Sequence, residues 1–224
     1  MENSSKTAIV IGATGLVGRK LVLLLLNQPF ISKVKTFSRR DLGILHNKLE
    51  EHFIDFNHIN HFSSEIRGDL LFSCMGTTLK SAGNKKAQYK VDYTYQYNFA
   101  KLASLNGVRH YFLVSAINAN ATSSFFYPKI KGQLEQSVKD LSFDSISIFR
   151  PSVLRGDREK IRLGEEIGRW VIDTLKWIPS LQQYRSISGE ELALAMVNAS
   201  KTLGKPNYYI YDPEDIWALL EKNK

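Results

Sequence analysis

Short apolar runs alternate along this chain with longer segments in which apolar residues recur at helical spacing. One helix is predicted over 16–28, where Pro29 ends it, and another over 85–106, where Gly107 ends it. The runs that predict strands are 7–13, 34–38, 52–56, 70–75, 110–116 and 145–149. Strands that alternate with helices are typical of a doubly wound parallel sheet, so the sequence predicts an α/β fold of the Rossmann type.

After Pro151 the alternation gives way to a mainly helical pattern. The predicted elements there are helices over about 163–177 and 190–200, a strand over 208–211, and a terminal helix after Asp212 and Pro213. Ser188 followed three residues later by Glu191 has the sequence of a capping box, which supports a helix that begins at this point.

The 224 residues are enough for one sizeable core, and no low-complexity linker or repeat of fixed period divides them. We predict a single domain over 1–224, with a nucleotide-binding core over about 1–150 and a small C-terminal helical substrate lobe over about 151–224. Ligands of doubly wound folds bind at the carboxyl ends of the strands. We therefore expect this lobe to act as a substrate lid.

The longest aliphatic run, residues 21–26, is far too short to span a bilayer, so it predicts core and no membrane span. Glycines interrupt the apolar stretch near the amino terminus, and no signal peptide is expected. The single cysteine, Cys74, cannot form an internal disulfide, and on that ground we predict a cytoplasmic protein.

The formal net charge of +8 could indicate a nucleic-acid partner. Lysine and arginine are scattered along the chain rather than gathered in one stripe with aromatic residues, so no nucleic acid is expected, and an anionic cofactor accounts for part of the excess. The five histidines lack the additional ligand spacing of a zinc site, and no metal is predicted.

Residues 9–18, read as I-V-I-G-A-T-G-L-V-G, join a predicted strand to a predicted helix through three glycines. In a dinucleotide-binding turn, Gly12 would allow the sharp exit from the strand, Gly15 the approach of a pyrophosphate, and Gly18 the close packing of the helix on the sheet. The motif predicts a dinucleotide site, with a turn that binds no ligand as the alternative.

The second predicted strand ends in Ser38, Arg39 and Arg40, about twenty residues after Gly18. An acidic side chain at this position would bind the ribose hydroxyls of NAD. Two guanidinium groups instead favour the 2′-phosphate of NADP, although Asp41 weakens the argument and a solvated basic turn is the alternative.

Tyr127 and Lys131 are four residues apart, so on a helix both side chains project from one face. A neighbouring ammonium group favours the phenolate, and we therefore expect Lys131 to lower the pKa of Tyr127. Ser115 follows the fifth predicted strand at the same edge of the sheet, where its hydroxyl could polarise a substrate carbonyl. Pro128 is compatible with this helix only within its first turn.

Together these residues resemble the short-chain dehydrogenases/reductases, and within them the atypical group of Tat-interacting-protein-like NADP-binding oxidoreductases. The resemblance covers most of the chain up to about Arg162. The motifs that carry it, in chain order, are G-A-T-G-L-V-G, S-R-R, D-F, C-M-G-T-T, V-S-A, Y-P-K-I-K-G-Q-L-E and F-R-P-S-V-L-R-G-D-R.

The resemblance implies a catalytic set in which Tyr127 is the general acid–base, Lys131 its neighbour and a ribose ligand, and Ser115 the hydroxyl that orients the carbonyl. Asp55 resembles the family's adenine contact, and it fits a turn cap equally well. The cofactor-binding residues predicted from the glycine spacing and the resemblance together are Gly12, Thr14, Gly15, Leu16, Val17, Gly18, Arg39, Arg40, Met75, Gly76, Tyr127, Lys131, Leu154 and Arg162.

Two functions from different classes follow. The first is an NADP(H)-dependent oxidoreductase of the short-chain type that acts on a carbonyl or alcohol of a small-molecule substrate. The second is a non-enzymatic regulator that binds NADP(H) and signals its redox state through protein partners. The sequence identifies neither the substrate nor a partner.

Overall fold

The computed structural model of the protein describes residues 5–155, 185–202 and 208–221. Its main-sheet strands are β1 (Lys6–Ile11), β2 (Ile31–Ser38), β3 (Leu49–Phe53), β4 (Leu70–Ser73), β5 (His110–Val114), β6 (Ser145–Phe149) and β9 (Tyr208–Tyr211). They lie in the order β3-β2-β1-β4-β5-β6-β9, and each neighbouring pair is parallel. A separate parallel pair consists of β7 (Leu154–Arg155) and β8 (Ile187–Ser188).

Helices cover both faces of this sheet. They are α1 (Leu16–Leu26), a 3₁₀ helix (Phe56–Phe62), α2 (Leu79–Ala82), α3 (Lys85–Tyr89), a π-helical turn (Lys90–Thr94), α4 (Tyr95–Leu105), α5 (Phe126–Lys139), α6 (Gly189–Lys201) and α7 (Pro213–Glu221). Helices α1, α6 and α7 pack on one face, whereas the 3₁₀ helix, α4 and α5 pack on the other. The predicted doubly wound fold of the Rossmann type is confirmed.

The apolar sequence of β1 is explained by its central place in the sheet. Ala8 and Val10 face the cluster that includes α1 and α6, and Ile9 and Ile11 face the cluster that includes α4 and α5. All four side chains are fully buried. Burial of a valine or isoleucine side chain stabilises the fold by about 1.5–3 kcal/mol, so β1 requires apolar residues on both sides.

The third strand lies three residues earlier than predicted, at Leu49–Phe53 instead of 52–56. Phe56 begins the 3₁₀ helix, and the carboxylate of Asp55 caps that helix by accepting a hydrogen bond from the backbone N–H of Asn57 at 2.9 Å. This contact agrees with the turn-cap interpretation of Asp55. β3 is an edge strand with charged residues at its centre, so it lacks the apolar run that marks the inner strands.

The capping box predicted at Ser188 is confirmed. The Ser188 hydroxyl accepts a hydrogen bond from the Glu191 backbone N–H at 3.1 Å, and the Glu191 carboxylate accepts one from the Ser188 backbone N–H at 2.8 Å. The late strand and the terminal helix also occur where the sequence places them, as β9 and α7.

Helix α6 packs against α1 in the helical layer and not over the carboxyl ends of the strands. A Cβ atom on Gly189 would lie 2.8 Å from the carbonyl oxygen of Leu16, which shows how closely the two helices approach. Met196 and Leu21 are fully buried in the same cluster. The helix predicted over 163–177 lies outside the described residues, so the substrate lobe stays a prediction.

Across the described ranges, no helix combines the length and the apolar character that a membrane span requires.

Candidate dinucleotide and active site

The three glycines after β1 serve two different purposes. Gly12 has a φ of +76°, and a Cβ atom there would lie 2.5 Å from the carbonyl carbon of Cys74. A Cβ atom on Gly18 would collide with the carbonyl oxygen of Gly12, so both positions require glycine for the protein's own packing. A Cβ atom on Gly15 would contact only two backbone oxygens, of Gly12 at 3.1 Å and of Cys74 at 3.9 Å. Gly15 is therefore exposed and less crowded than Gly12 and Gly18, with one tight backbone contact.

The amino terminus of α1 lies directly at this turn. Gly15 is its N-cap, no side chain caps the helix, and its first turn contains no acidic residue. Thr14, Gly15 and Leu16 are exposed, whereas Val17 and Gly18 are buried against the sheet. The first N–H groups of a helix have no partner within it and attract anions. The turn thus fits the pyrophosphate of a dinucleotide.

Arg39 and Arg40 follow β2, the strand beside β1, so they lie at the same edge of the sheet as the glycine turn. Both are exposed, and none of the ion pairs within the described residues involves either guanidinium group. The Asp41 carboxylate accepts a hydrogen bond from the Gly43 backbone N–H at 2.6 Å, within its own turn. The two arginines are thus available to an anionic group.

The segment after β4 reaches the same edge. Gly76 is exposed, and a Cβ atom on it would lie 3.5 Å from Oδ1 of Asp92. Met75 is partly buried and packs against the cluster that contains α4 and α5. Leu154, in β7, is partly buried against the other cluster. Arg162, which the resemblance implies as a cofactor residue, lies outside the described residues.

Helix α5 positions Tyr127 and Lys131. The helix begins at Phe126, which places Pro128 in the first turn, where its missing N–H breaks no helical hydrogen bond. Tyr127 is partly buried, and only 2% of Lys131 is exposed. The Lys131 ammonium donates a hydrogen bond at 3.0 Å to the carbonyl oxygen of Val114, the last residue of β5. The pair therefore lies at the carboxyl edge with the glycine turn.

The expectation that Lys131 lowers the pKa of Tyr127 is wrong. Burial raises the pKa of the Tyr127 phenol, and the negative charge of Asp92 raises it further. Burial also lowers the pKa of Lys131, which weakens the ammonium as a partner of the phenolate. Tyr127 is consequently a protonated phenol at neutral pH, which suits a proton donor better than a base.

Ser115 is directed to a different partner from the predicted one. It is 4% exposed, and its hydroxyl donates a hydrogen bond to the carboxylate of Glu135. Glu135 also accepts hydrogen bonds from Nε of Arg150, at 3.0 Å, and from its Nη2. The hydroxyl proton of Ser115 is thus already donated to Glu135. To orient a substrate carbonyl, Ser115 would have to break this hydrogen bond and donate to the substrate instead.

Two relatives decide the family. Protein HTATIP2 from Rattus norvegicus is 36% identical over 169 residues, which span 74% of this chain and 69% of the relative. Protein FMP52-1, mitochondrial, from Scheffersomyces stipitis is 33% identical over 226 aligned residues, which span 96% of this chain and 99% of the relative. The chain belongs to the HTATIP2 and FMP52 family. The resemblance to the atypical short-chain dehydrogenases/reductases is confirmed, although no family model matches the chain.

Solved structures agree with the fold of this HTATIP2/FMP52-family protein. The structure described as MoeE5 in complex with UDP-glucose and NAD superimposes with a TM-score of 0.68 at 15% identity, covering 96% of this chain and 81% of that one. The Bordetella bronchiseptica enzyme WbmG in complex with NAD gives a TM-score of 0.67 at 12% identity, covering 99% and 79%. At these identities the likeness shows the fold alone.

The family corrects the predicted location. FMP52-1 of S. stipitis and FMP52 of Candida albicans are both named as mitochondrial proteins. The prediction of a cytoplasmic protein, made from the single cysteine, is wrong on this finding. A single thiol is compatible with several reducing compartments, so it could not decide between them.

Two buried polar residues of this family member are not among the site residues predicted from the sequence. Asp92 and Gln96 are fully buried on the inner side of the π-helical turn and α4. Their spacing continues through Phe99, Ala100 and Ala103, which are also buried. The sequence does carry a signal for these two residues, because each is a polar residue on the apolar face of a helix. A polar group on such a face is retained only where it has a specific partner.

Three tyrosines form a stack along the same helical stretch. We expect Tyr89, Tyr93, Tyr95 and Tyr97 to spread over several faces of the helix, and this expectation is wrong for three of them. Tyr93 stacks on Tyr89 with ring centroids 4.9 Å apart and on Tyr97 at 5.9 Å. Steps of four residues keep these rings on one stripe, while Tyr95 packs instead on Phe56 at 5.5 Å.

Proposed function

We propose that this HTATIP2/FMP52-family protein is an NADP-dependent oxidoreductase that moves a hydride between the cofactor and a carbonyl or alcohol of a small molecule. One observation carries the proposal. Tyr127 and Lys131 lie one helical turn apart at the carboxyl end of β5, on the same sheet edge as the exposed glycine turn between β1 and α1. A proton donor and a dinucleotide cradle at one edge are the requirements of this chemistry.

The described residues fit the cofactor. The exposed Gly15 and the uncapped amino terminus of α1 would hold the pyrophosphate. Arg39 and Arg40 would hold a 2′-phosphate, and the backbone at Met75 and Gly76 would run beside the ribose. When bound, NADPH supplies the hydride.

Tyr127 would donate its phenolic proton to the oxygen of a substrate carbonyl as the carbonyl carbon accepts the hydride. The raised pKa of Tyr127 keeps this proton in place at neutral pH, which favours the direction of carbonyl reduction. The phenolate left after this step regains a proton from solvent.

Cofactor preference tests the binding half of the proposal. We expect the native protein to bind NADPH more tightly than NADH in calorimetric titrations. A charge-assisted contact contributes about 1.5–3 kcal/mol, so Arg39→Gln with Arg40→Gln should weaken NADPH binding at least tenfold and leave NADH nearly unaffected. Arg67→Gln, an exposed arginine before β4 at the opposite sheet edge, is the matched control. Equal affinity of the native protein for both cofactors would contradict the assignment.

The hydrogen bond from Ser115 to Glu135 favours a second function, the NADP(H)-binding regulator, because it leaves a substrate carbonyl without that donor. The two functions differ in one measurable property. A regulator binds NADPH but does not oxidise it in the presence of aldehydes, ketones or quinones, whereas the oxidoreductase does.

A further inference from the structure

A carboxylate and an ammonium group face each other in the interior beside the candidate active site. Asp92 is 0% exposed and Lys131 is 2% exposed, and Oδ1 of Asp92 lies 3.8 Å from Nζ of Lys131. Oδ2 of Asp92 accepts a hydrogen bond from the Thr77 backbone N–H at 3.3 Å. Oδ1 has no hydrogen-bond partner within the described part of the chain. A buried acceptor that is left without a donor is costly and points to a functional requirement.

The backbone holds Asp92 in this position through the π-helical turn. The wider turn releases backbone carbonyls, and the Gln96 side-chain amide donates to those of Asp92 at 2.9 Å and Val91 at 3.3 Å. The Gln96 carbonyl in turn accepts a hydrogen bond from the Ser73 hydroxyl, at the end of β4, at 2.8 Å. Single π-helical turns within α-helices are frequent at functional sites.

Asp92 is the counter-ion of Lys131. Glu135 and Cys74 are further titratable groups whose charges act on the ammonium, and the Tyr127 phenol lies close enough to Asp92 to feel its charge. Glu135 is occupied by two hydrogen bonds from Arg150, and burial raises the pKa of the Cys74 thiol to about 12, so the thiol is neutral. Burial raises the pKa of Asp92 to about 6, with Lys131 opposing the rise, and Asp92 is therefore a carboxylate at neutral pH.

We propose that Asp92 is a positioning residue that keeps Lys131 protonated and holds its ammonium at the carboxyl end of β5, close to the segment at Gly76 and Thr77 that Asp92 contacts. There Nζ of Lys131 and the unpartnered Oδ1 of Asp92 present a donor and an acceptor side by side, which matches a pair of ribose hydroxyls. The part that concerns ribose rests on the proposed function. The counter-ion role concerns the protein alone.

Asp92→Asn tests the counter-ion role on the full chain without cofactor. The amide keeps the shape and removes the charge, and an opposite charge within about 4–6 Å shifts a pKa by about one unit or more. We expect an NMR titration of the Lys131 side chain to show its pKa about one unit or more lower in the variant. Asp69→Asn, whose carboxylate accepts from the Thr7 backbone N–H at 2.7 Å at the opposite sheet edge, should leave Lys131 unchanged.

An unchanged Lys131 titration in folded Asp92→Asn would overturn the proposal. Should that variant not fold, the native protein gives the answer, because the Lys131 signal must also respond when Asp92 is protonated as the pH is lowered. A Lys131 signal that does not change at any pH at which the protein stays folded would equally overturn the counter-ion role.

NADPH titration separates this proposal from the proposed function. Asp92→Asn should weaken NADPH binding about tenfold, since one charge-assisted contact is lost, while Asp69→Asn should bind normally. A lowered Lys131 pKa together with a native protein that binds no NADPH would reject the proposed function and leave the counter-ion role standing. Normal NADPH binding by Asp92→Asn would reject the ribose part alone.

Discussion

Tyr127→Phe should lower the turnover of NADPH by about 100-fold or more and leave the affinity for NADPH nearly unchanged. Phenylalanine keeps the ring of this partly buried side chain and removes only the proton that would be donated. The assay is a panel of aldehydes, ketones and quinones, with oxidation followed through the absorbance of NADPH. Affinity is measured separately by calorimetry.

Tyr97→Phe is the matched control, because it makes the same chemical change at a position away from Lys131. Tyr97 is the α4 member of the tyrosine stack. It should turn over at the native rate. If the native protein oxidises NADPH with no member of the panel, or if Tyr127→Phe is as fast as the native protein, the catalytic assignment fails. The redox-sensing regulator then becomes the better account.

Gly15→Val should abolish NADPH binding and keep the secondary structure. The backbone of Gly15, with φ −82° and ψ 177°, is open to any residue, and its Cβ position approaches only the Gly12 carbonyl closely, at 3.1 Å. The valine side chain would instead fill the space intended for the pyrophosphate. Thermal unfolding with and without NADPH, together with circular dichroism, measures both effects.

Gly18→Ala gives the opposite pattern and serves as the comparison. Its new methyl group would collide with the Gly12 carbonyl, so the melting temperature should fall whether or not NADPH is present. If NADPH raises the melting temperature of Gly15→Val as much as it raises that of the native protein, the three glycines form only a turn.

The parts of the fold that the sequence predicts well are those encoded by neighbouring residues. In β1 every side chain from Ala8 to Ile11 is buried, so the strand is one apolar run, and the glycine spacing that follows is equally local. The predicted position of β3 is wrong because β3 is an edge strand. Glu50 and His52 are tolerated there, and no apolar run marks the element.

In the candidate site, too, the sequence predicts local contacts and misses those between distant parts of the chain. Tyr127 and Lys131 are four residues apart on one helix, so their spacing alone predicts that they share a face. Asp92 reaches Lys131 from a different helix, and Glu135 meets Arg150 across a helix and a strand, so no local pattern reveals either contact. The pKa of Tyr127 was misjudged for the same reason, because burial is a property of the packed structure and outweighs the neighbouring charge.

The packing of α6 on α1 has a consequence for how the chain folds. The helix that begins at the glycine turn is covered by residues from the far end of the sequence, and β9 completes the sheet from the same late segment. Contacts between such distant parts of a chain slow folding, and during synthesis they form last. The nascent amino-terminal half therefore leaves the ribosome with an apolar face of α1 uncovered, and this half stays prone to aggregation until α6 and β9 have been made.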